Sequence, residues 1–149
     1  MAQTIRQMTS KDLEVHVSAD GGEWTDISGS SAAWSPSGGE RETGSAHTAG
    51  DADPVVGIGP KGPASGSLRI IYTEETSEAA DLIDGYYENG TYMYLRARVK
   101  GSTVGDWQWT SKGYFAGPTF PEADASSGDI LVVEVPWHGT PWTQSAQVS

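Results

Sequence analysis

The chain has 149 residues, 9 of them Lys or Arg and 20 Asp or Glu, for a formal net charge of −11. Its length suits one domain over residues 1–149 with an independent core, and its charge argues against nonspecific binding to DNA, RNA or anionic membrane, whose phosphates it repels. The absence of cysteine excludes disulfides and thiolate metal sites, while 19 glycines and 6 tryptophans favour a turn-rich β protein with large aromatic anchors over a helical bundle.

Met1 to Ser10 is polar and expected to form an extended arm. No apolar run follows Met1–Arg6, so no secretory signal is expected, and no stretch approaches membrane-spanning length. Leu13, Val15 and Val17 alternate with Glu14, His16 and Ser18, which predicts a strand with one buried face. Ala19-Asp20-Gly21-Gly22 reads as a tight turn, because aspartate and glycine tolerate positive φ. Glu23 to Ile27 then predicts a return strand anchored by Trp24 and ended by Ser28-Gly29.

Ser30 to Ser65 is rich in Gly, Ser, Ala and Pro, with Trp34 and Val55-Val56-Gly57-Ile58 as its sizeable hydrophobic features. Composition alone allows a floppy linker, but a compact domain rarely keeps so long a structureless loop without a use for it. The sharper reading is a long loop, or a long irregular hairpin, that becomes ordered against a neighbouring molecule. Glu40, Arg41, Glu42, Asp51, Asp53 and Lys61 carry mixed signs suited to pairing across such a contact, with Trp34 and His47 as further contact candidates.

The central block runs from Gly66 to Lys100. Leu68, Ile70 and Tyr72 alternate with Arg69, Ile71 and Thr73, predicting a strand. A helix over about Ser77–Glu88 follows: Thr76 or Ser77 is the expected cap, Glu74, Glu75 and Glu78 favour the positive end of the dipole, and Asn89-Gly90 is the left-handed stop. Ala79, Leu82, Ile83, Tyr86 and Tyr87 give it one apolar stripe. From Thr91 the period returns to two, placing Met93, Leu95, Ala97 and Val99 on one strand face and Tyr92, Tyr94, Arg96, Arg98 and Lys100 on the other. The helix therefore lies across a sheet, and the basic strand face needs a partner.

Gly101 to Gly105 reads as a turn. Asp106 to Thr110 begins a strand with Trp107 and Trp109 on one face, which Tyr114-Phe115-Ala116 extends or follows, and Gly117-Pro118 breaks it. Pro121 to Asp129 is an acidic loop. Ile130 to Val135 is apolar on both faces at first, predicting an interior strand closed by Pro136, and residues 137–149 read as a polar tail containing Trp142.

Positive signs of catalysis are lacking. Gly57, Gly59 and Gly62 form a literal G-x-G-x-x-G, but Pro60 and Pro63 interrupt it and a strand follows instead of a helix. Asp51-Ala52-Asp53 lacks the remaining ligands of a calcium loop. His16, His47 and His138 lack zinc-site spacing and read as isolated surface histidines. Ser65 has no nucleophile-elbow context. No catalytic residue, cofactor or metal is assigned. The tryptophans remain: core anchors, interface anchors, or a sugar-stacking platform built on Trp107 and Trp109.

Trp24-Thr25-Asp26-Ile27-Ser28-Gly29, the long Gly/Ser/Ala segment, the strand-helix-strand from Gly66 to Lys100 and the strand from Asp129 to Val135 together resemble the major tail tube proteins of long-tailed bacteriophages, relatives of the tubes of contractile injection machines. The resemblance covers nearly the whole chain through the order of its elements. It implies a mainly β fold, two packed antiparallel sheets forming a sandwich or barrel-like domain with one flanking helix. It further implies homohexameric rings stacked into a hollow, acidic tube that conducts DNA, gripped together by the long loop and the N-terminal arm. A tape-measure protein in the bore, initiator and terminator proteins, and a place in the virion after assembly in host cytoplasm follow from the same resemblance, with no membrane insertion and no catalysis. Arg69, Arg96, Arg98 and Lys100 would then meet acidic groups of a neighbouring subunit or of their own. A noncatalytic carbohydrate-binding sandwich and a minor tail or decoration protein are the alternatives.

Overall fold

The computed structural model describes residues 13–50, 52–99, 107–121, 123, 125–126 and 128–147. The predicted N-terminal arm, Asp51, Lys100, the 101–105 turn and Asp106 lie outside the described residues.

Among the described residues ten strands and one α-helix follow in chain order: β1 (Leu13–Ser18), β2 (Thr25–Asp26), β3 (Ser31–Gly38), β4 (Arg41–Ala46), β5 (Val55–Lys61), β6 (Ala64–Ile71), α1 (Ala79–Asn89), β7 (Met93–Val99), β8 (Trp107–Phe115), β9 (Val132–Gly139) and β10 (Thr143–Ala146). All pairings are antiparallel. The main sheet runs β2-β1-β7-β8-β9-β6-β3, and β10 also pairs with β8. Near its start β8 pairs with β10, through Trp107 to Thr110, and near its end with β9, through Gly113 to Phe115. The sheet turns back on itself there, so two layers of a sandwich-like fold share one strand.

At that turn Gly113 lies opposite Gly139. A Cβ on Gly113 would stand 2.2 Å from the His138 carbonyl oxygen, and one on Gly139 would stand 2.7 Å from the Lys112 oxygen. No side chain fits either position, because backbone rather than a movable side-chain end lies in the way.

The core forms where the alternating faces meet: Val15 and Val17 of β1, Met93 and Leu95 of β7, Leu68 and Ile70 of β6, Val133, Val135 and Trp137 of β9, and Ala79, Ala80 and Ile83 of α1. The inward positions of β1, β6 and β7 are those read from the sequence, while the alternation of β9 is not. Gly90 stops α1 in the left-handed conformation, φ 60°, and Thr91 N–H reaches back to the Tyr86 carbonyl at 3.0 Å. The start of the helix differs from expectation. Glu78, not Thr76 or Ser77, is the N-cap, without a side-chain cap hydrogen bond. Ser77 adopts φ 69° and its N–H goes to Asp81 Oδ2 at 3.0 Å, while the Glu78 carboxylate is taken by Thr73 Oγ1.

Other expectations are corrected. The return strand after the Asp20 turn is only the two residues of β2. Ile130 is 70% exposed, because the chain at 130–131 is not yet a strand; β9 begins at Val132 and buries alternate residues on one face. Pro136 does not close it. Its carbonyl accepts from Ala116 N–H at 2.9 Å, so its own nitrogen faces the β8 side beyond Gly117, where no donor is needed, and the β6 ladder continues past it. Trp137 is therefore no part of a polar tail: it is 1% exposed, with its Nε1–H donated to Ser111 Oγ at 3.1 Å.

Candidate functional site

Ser30 to Ser65 is neither a floppy linker nor a structureless loop. β3 pairs with β6 and β4 with β5. Gly39 N–H to the Pro63 carbonyl (2.9 Å) and Gly62 N–H to the Glu40 carbonyl (2.7 Å) join the two ladders, making one long hairpin. Its root bends at Gly38 and Gly39, both at positive φ (73° and 75°). Beyond the root every residue of β4 is exposed, and β5 shows Val55, Val56 and Ile58 at 60–71% exposure. Glycine pairs with glycine at Gly44 and Gly57, so the middle of one ribbon face is bare backbone. A two-stranded ribbon with no core of its own is marginal in water and asks for a covering surface.

The described contact candidates fall in four places. Glu40, Arg41, Glu42, His47, Asp53 and Lys61 sit exposed on or beside the ribbon, and Arg41 is turned inward along it, donating to the Gly59 carbonyl at 3.1 Å. Trp34 is half-buried at the root, edge-on to Trp142 at 5.5 Å, while Trp142 Nε1–H donates to the Ser37 carbonyl at 3.2 Å. Leu13, Trp34, Pro36, Ala97, Trp109 and Trp142 line an apolar cleft of about 430 Å³ between the layers. Trp109 is half-buried in that cleft while Trp107 stays 55% exposed. Arg69 stands opposite Glu134 across β6 and β9.

Arg96 and Arg98 lie on the outward face of β7, where they find partners in their own chain. Arg98 Nε donates to Glu14 Oε2 at 2.8 Å. Arg96 donates from Nε (3.1 Å) and Nη2 (2.7 Å) to His16 Nδ1 and lies 4.2 Å above the Trp24 ring. His16 is 3% exposed, so it is no isolated surface histidine: β2 and the arginine cover it. Because guanidinium only donates, Nδ1 must accept and the ring proton sits on Nε2, which faces Glu14 Oε2 at 3.3 Å and Asp26 Oδ2 at 3.7 Å. Glu14, His16 and Asp26 hold three ligand atoms within 4.8 Å, yet a metal would have to displace that proton beside two guanidinium groups. The set fits an N–H donor better than a cation.

Burial, and next the Arg96 charge, hold the His16 pKa below its ordinary 6.5. The unfolded chain therefore binds this proton more readily than the fold does, so the His16 contribution to stability is complete above about pH 6.5 and is lost as pH falls through the folded pKa. Urea midpoints measured from pH 8 to 5 should fall more steeply for the wild type than for His16→Gln. Parallel profiles would remove the histidine from the acid response.

Sequence reading missed the ring system beside this cluster. Tyr92 and Tyr114 stack at 5.0 Å, with Lys112 Nζ 4.6 Å from the Tyr92 ring and 5.0 Å from Tyr94. The alternation of β7 shows one half of it; Lys112 and Tyr114 join only through the β7–β8 register, Tyr94 opposite Lys112.

No family model matches the sequence, and no curated protein matches it. Solved structures do. The SPP1 tail tube superposes with a TM-score of 0.72 at 13% identity over 96% of this chain and 81% of that one. The sheath–tube complex of the PVC extracellular contractile injection system gives 0.68 at 16% identity, covering 95% and 93%. The tube-terminating cap of the anti-feeding prophage gives 0.67 at 12% identity, covering 98% and 95%. The chain has the fold of tail tube proteins, as its sequence resemblance implied.

Proposed function

We propose that this chain is a structural, noncatalytic subunit of a bacteriophage tail tube, resident in the virion after assembly in host cytoplasm. Six copies form a ring, rings stack into a hollow tube, and the tube conducts DNA without holding it. The observation that carries this reading is the fold match over 95–96% of this chain and 81–93% of the tube structures. The exposed ribbon supports it, since it leaves the body with valine and isoleucine uncovered. So does the net charge of −11, because a bore of negative potential repels phosphate. β3 has no strand partner on its outer edge among the described residues, and pairing between copies would satisfy it. The Ser30 to Ser65 hairpin and the N-terminal arm are the proposed inter-subunit and inter-ring grips; tape-measure, initiator and terminator proteins are the expected partners.

A capping role is the second reading, favoured by the likeness to a tube-terminating cap. Negative-stain microscopy of the purified protein separates the two. Tubes of stacked rings support the tube subunit, single rings that never stack support the cap, and monodisperse monomers even with initiator and tape-measure proteins present sink both.

A further inference from the structure

The outward face of β7 and β8 has an unusual make-up: Trp24 packs over its Tyr94 and Arg96, and no described element covers the Tyr92–Lys112–Tyr114 part beyond them. Arg98 is paired with Glu14 and Arg96 is hydrogen-bonded to His16, within the field of the same Glu14, and stacked on Trp24, whereas Lys112 is propped on the Tyr92 and Tyr94 rings. Tyr92 and Tyr114 are 43% and 46% exposed. A cation held on rings, as Lys112 is, is positioned yet not neutralised.

The opposite charge gathers on another element. Between Ile70 and Leu95 there is no Lys, Arg or His, while Glu75, Glu78, Asp81, Asp84 and Glu88 are all exposed. The hydrogen-bond partners described for these carboxylates are neutral: Thr73 for Glu78, the Ser77 backbone for Asp81 and Thr119 for Asp84. Asp81, Asp84 and Glu88 step by three and four residues, so they form one stripe along α1, about 4.5–6 Å apart along the axis. Arg96 and Lys112 are diagonal neighbours across β7 and β8, about 7–8 Å apart, within the span of that stripe.

Within one chain the two surfaces cannot meet. The buried side of α1 packs in the same core cluster as Met93 and Leu95, the inward face of β7, whereas Arg96 points outward with His16 and Trp24. We propose that the outward β7–β8 face is a docking surface for a second copy, seated by the acidic stripe of that copy's α1. The proposal rests on the tube-subunit reading and adds which faces join. Rings and cations together also suit single-stranded nucleic acid, but a face that held DNA would obstruct a conduit, and the net charge of −11 opposes DNA approach.

The test is a charge swap in the full chain. Lys112→Glu should raise the concentration needed for assembly by at least about tenfold, since like charges placed across an interface oppose association strongly. Glu88→Lys should do the same while leaving the fold intact, because a cation suits a helix C-terminus. The double variant Lys112→Glu/Glu88→Lys should return to within about twofold of the wild type, with unchanged circular dichroism in all three. Single variants that assemble normally, or a double variant that is not rescued, overturn the docking pair while leaving tubes and the broader reading in place. Wild-type protein that forms no oligomer ends both. Retention of a short oligonucleotide at physiological salt that is lost in Lys112→Glu overturns the proposal in favour of a nucleic-acid face.

Discussion

Trp137→Ala is expected to destabilise the fold by about 3–5 kcal/mol, a large share of the roughly 5–15 kcal/mol that holds a domain together. Trp137 is 1% exposed and meets the Phe115 ring edge-on at 5.1 Å. Its Nε1–H ends on Ser111 Oγ, which is itself 1% exposed and donates onward to the Thr140 carbonyl at 2.8 Å. Truncation opens a cavity in the shared region of the two layers and strips the hydroxyl of its donor. Trp137→Phe keeps much of the volume and loses the N–H, so its cost should be smaller, about 1–3 kcal/mol. Urea denaturation followed by far-ultraviolet circular dichroism measures both, with Trp107→Ala expected within about 0.5 kcal/mol of wild type. If Trp137→Ala were as mild as Trp107→Ala, β9 could not be carrying its indole into the core.

The second large effect is on assembly. Replacing residues 41–61 by Asn-Gly, a two-residue turn suited to a hairpin, should abolish tubes while leaving a folded monomer. The ribbon has no buried residue, so its loss removes little from the core, and the bonds Gly39 to Pro63 and Gly62 to Glu40 mark where the shortened hairpin still closes. Shortening a loop also lowers closure entropy slightly, by about 0.6 kcal/mol per halving. Sedimentation velocity and negative stain read the result. Normal tubes from the shortened chain would deny the ribbon any role in assembly; a chain that no longer folds would show that the ribbon supports the body after all.

Much of the fold was legible because it is local. The alternation of Leu68 to Tyr72 and Met93 to Ala97, the apolar stripe of α1 and its Gly90 stop each follow from the geometry of one element, and burial followed those patterns; in β1 it did not, because His16 and Ser18 of the face read as outward are buried along with Val15 and Val17. The errors share a cause. Glycine, serine and proline in 30–65 left loop and irregular hairpin both open because strand propensity is mostly side-chain packing, and backbone pairing makes it the hairpin. Pro136 read as a stop because its missing donor looked costly, but the cost depends on which neighbour faces it. Ile130 and Leu131 read as interior by hydrophobicity, although Leu131 only lends its carbonyl to Tyr72 N–H at 2.9 Å.

The sequence by itself determined the periods and the class of fold, which rest on residues near one another in the chain, and the charge excess and want of thiol chemistry, which are totals that no folding changes. Tertiary structure alone decided which charges meet. It drew His16 beneath Arg96, set Lys112 between two tyrosines, and left the carboxylates of α1 on a different face from the cations. Those outcomes depend on strand register across residues as far apart as 16 and 96, and register is fixed by how the whole core packs, not by any single stretch of sequence.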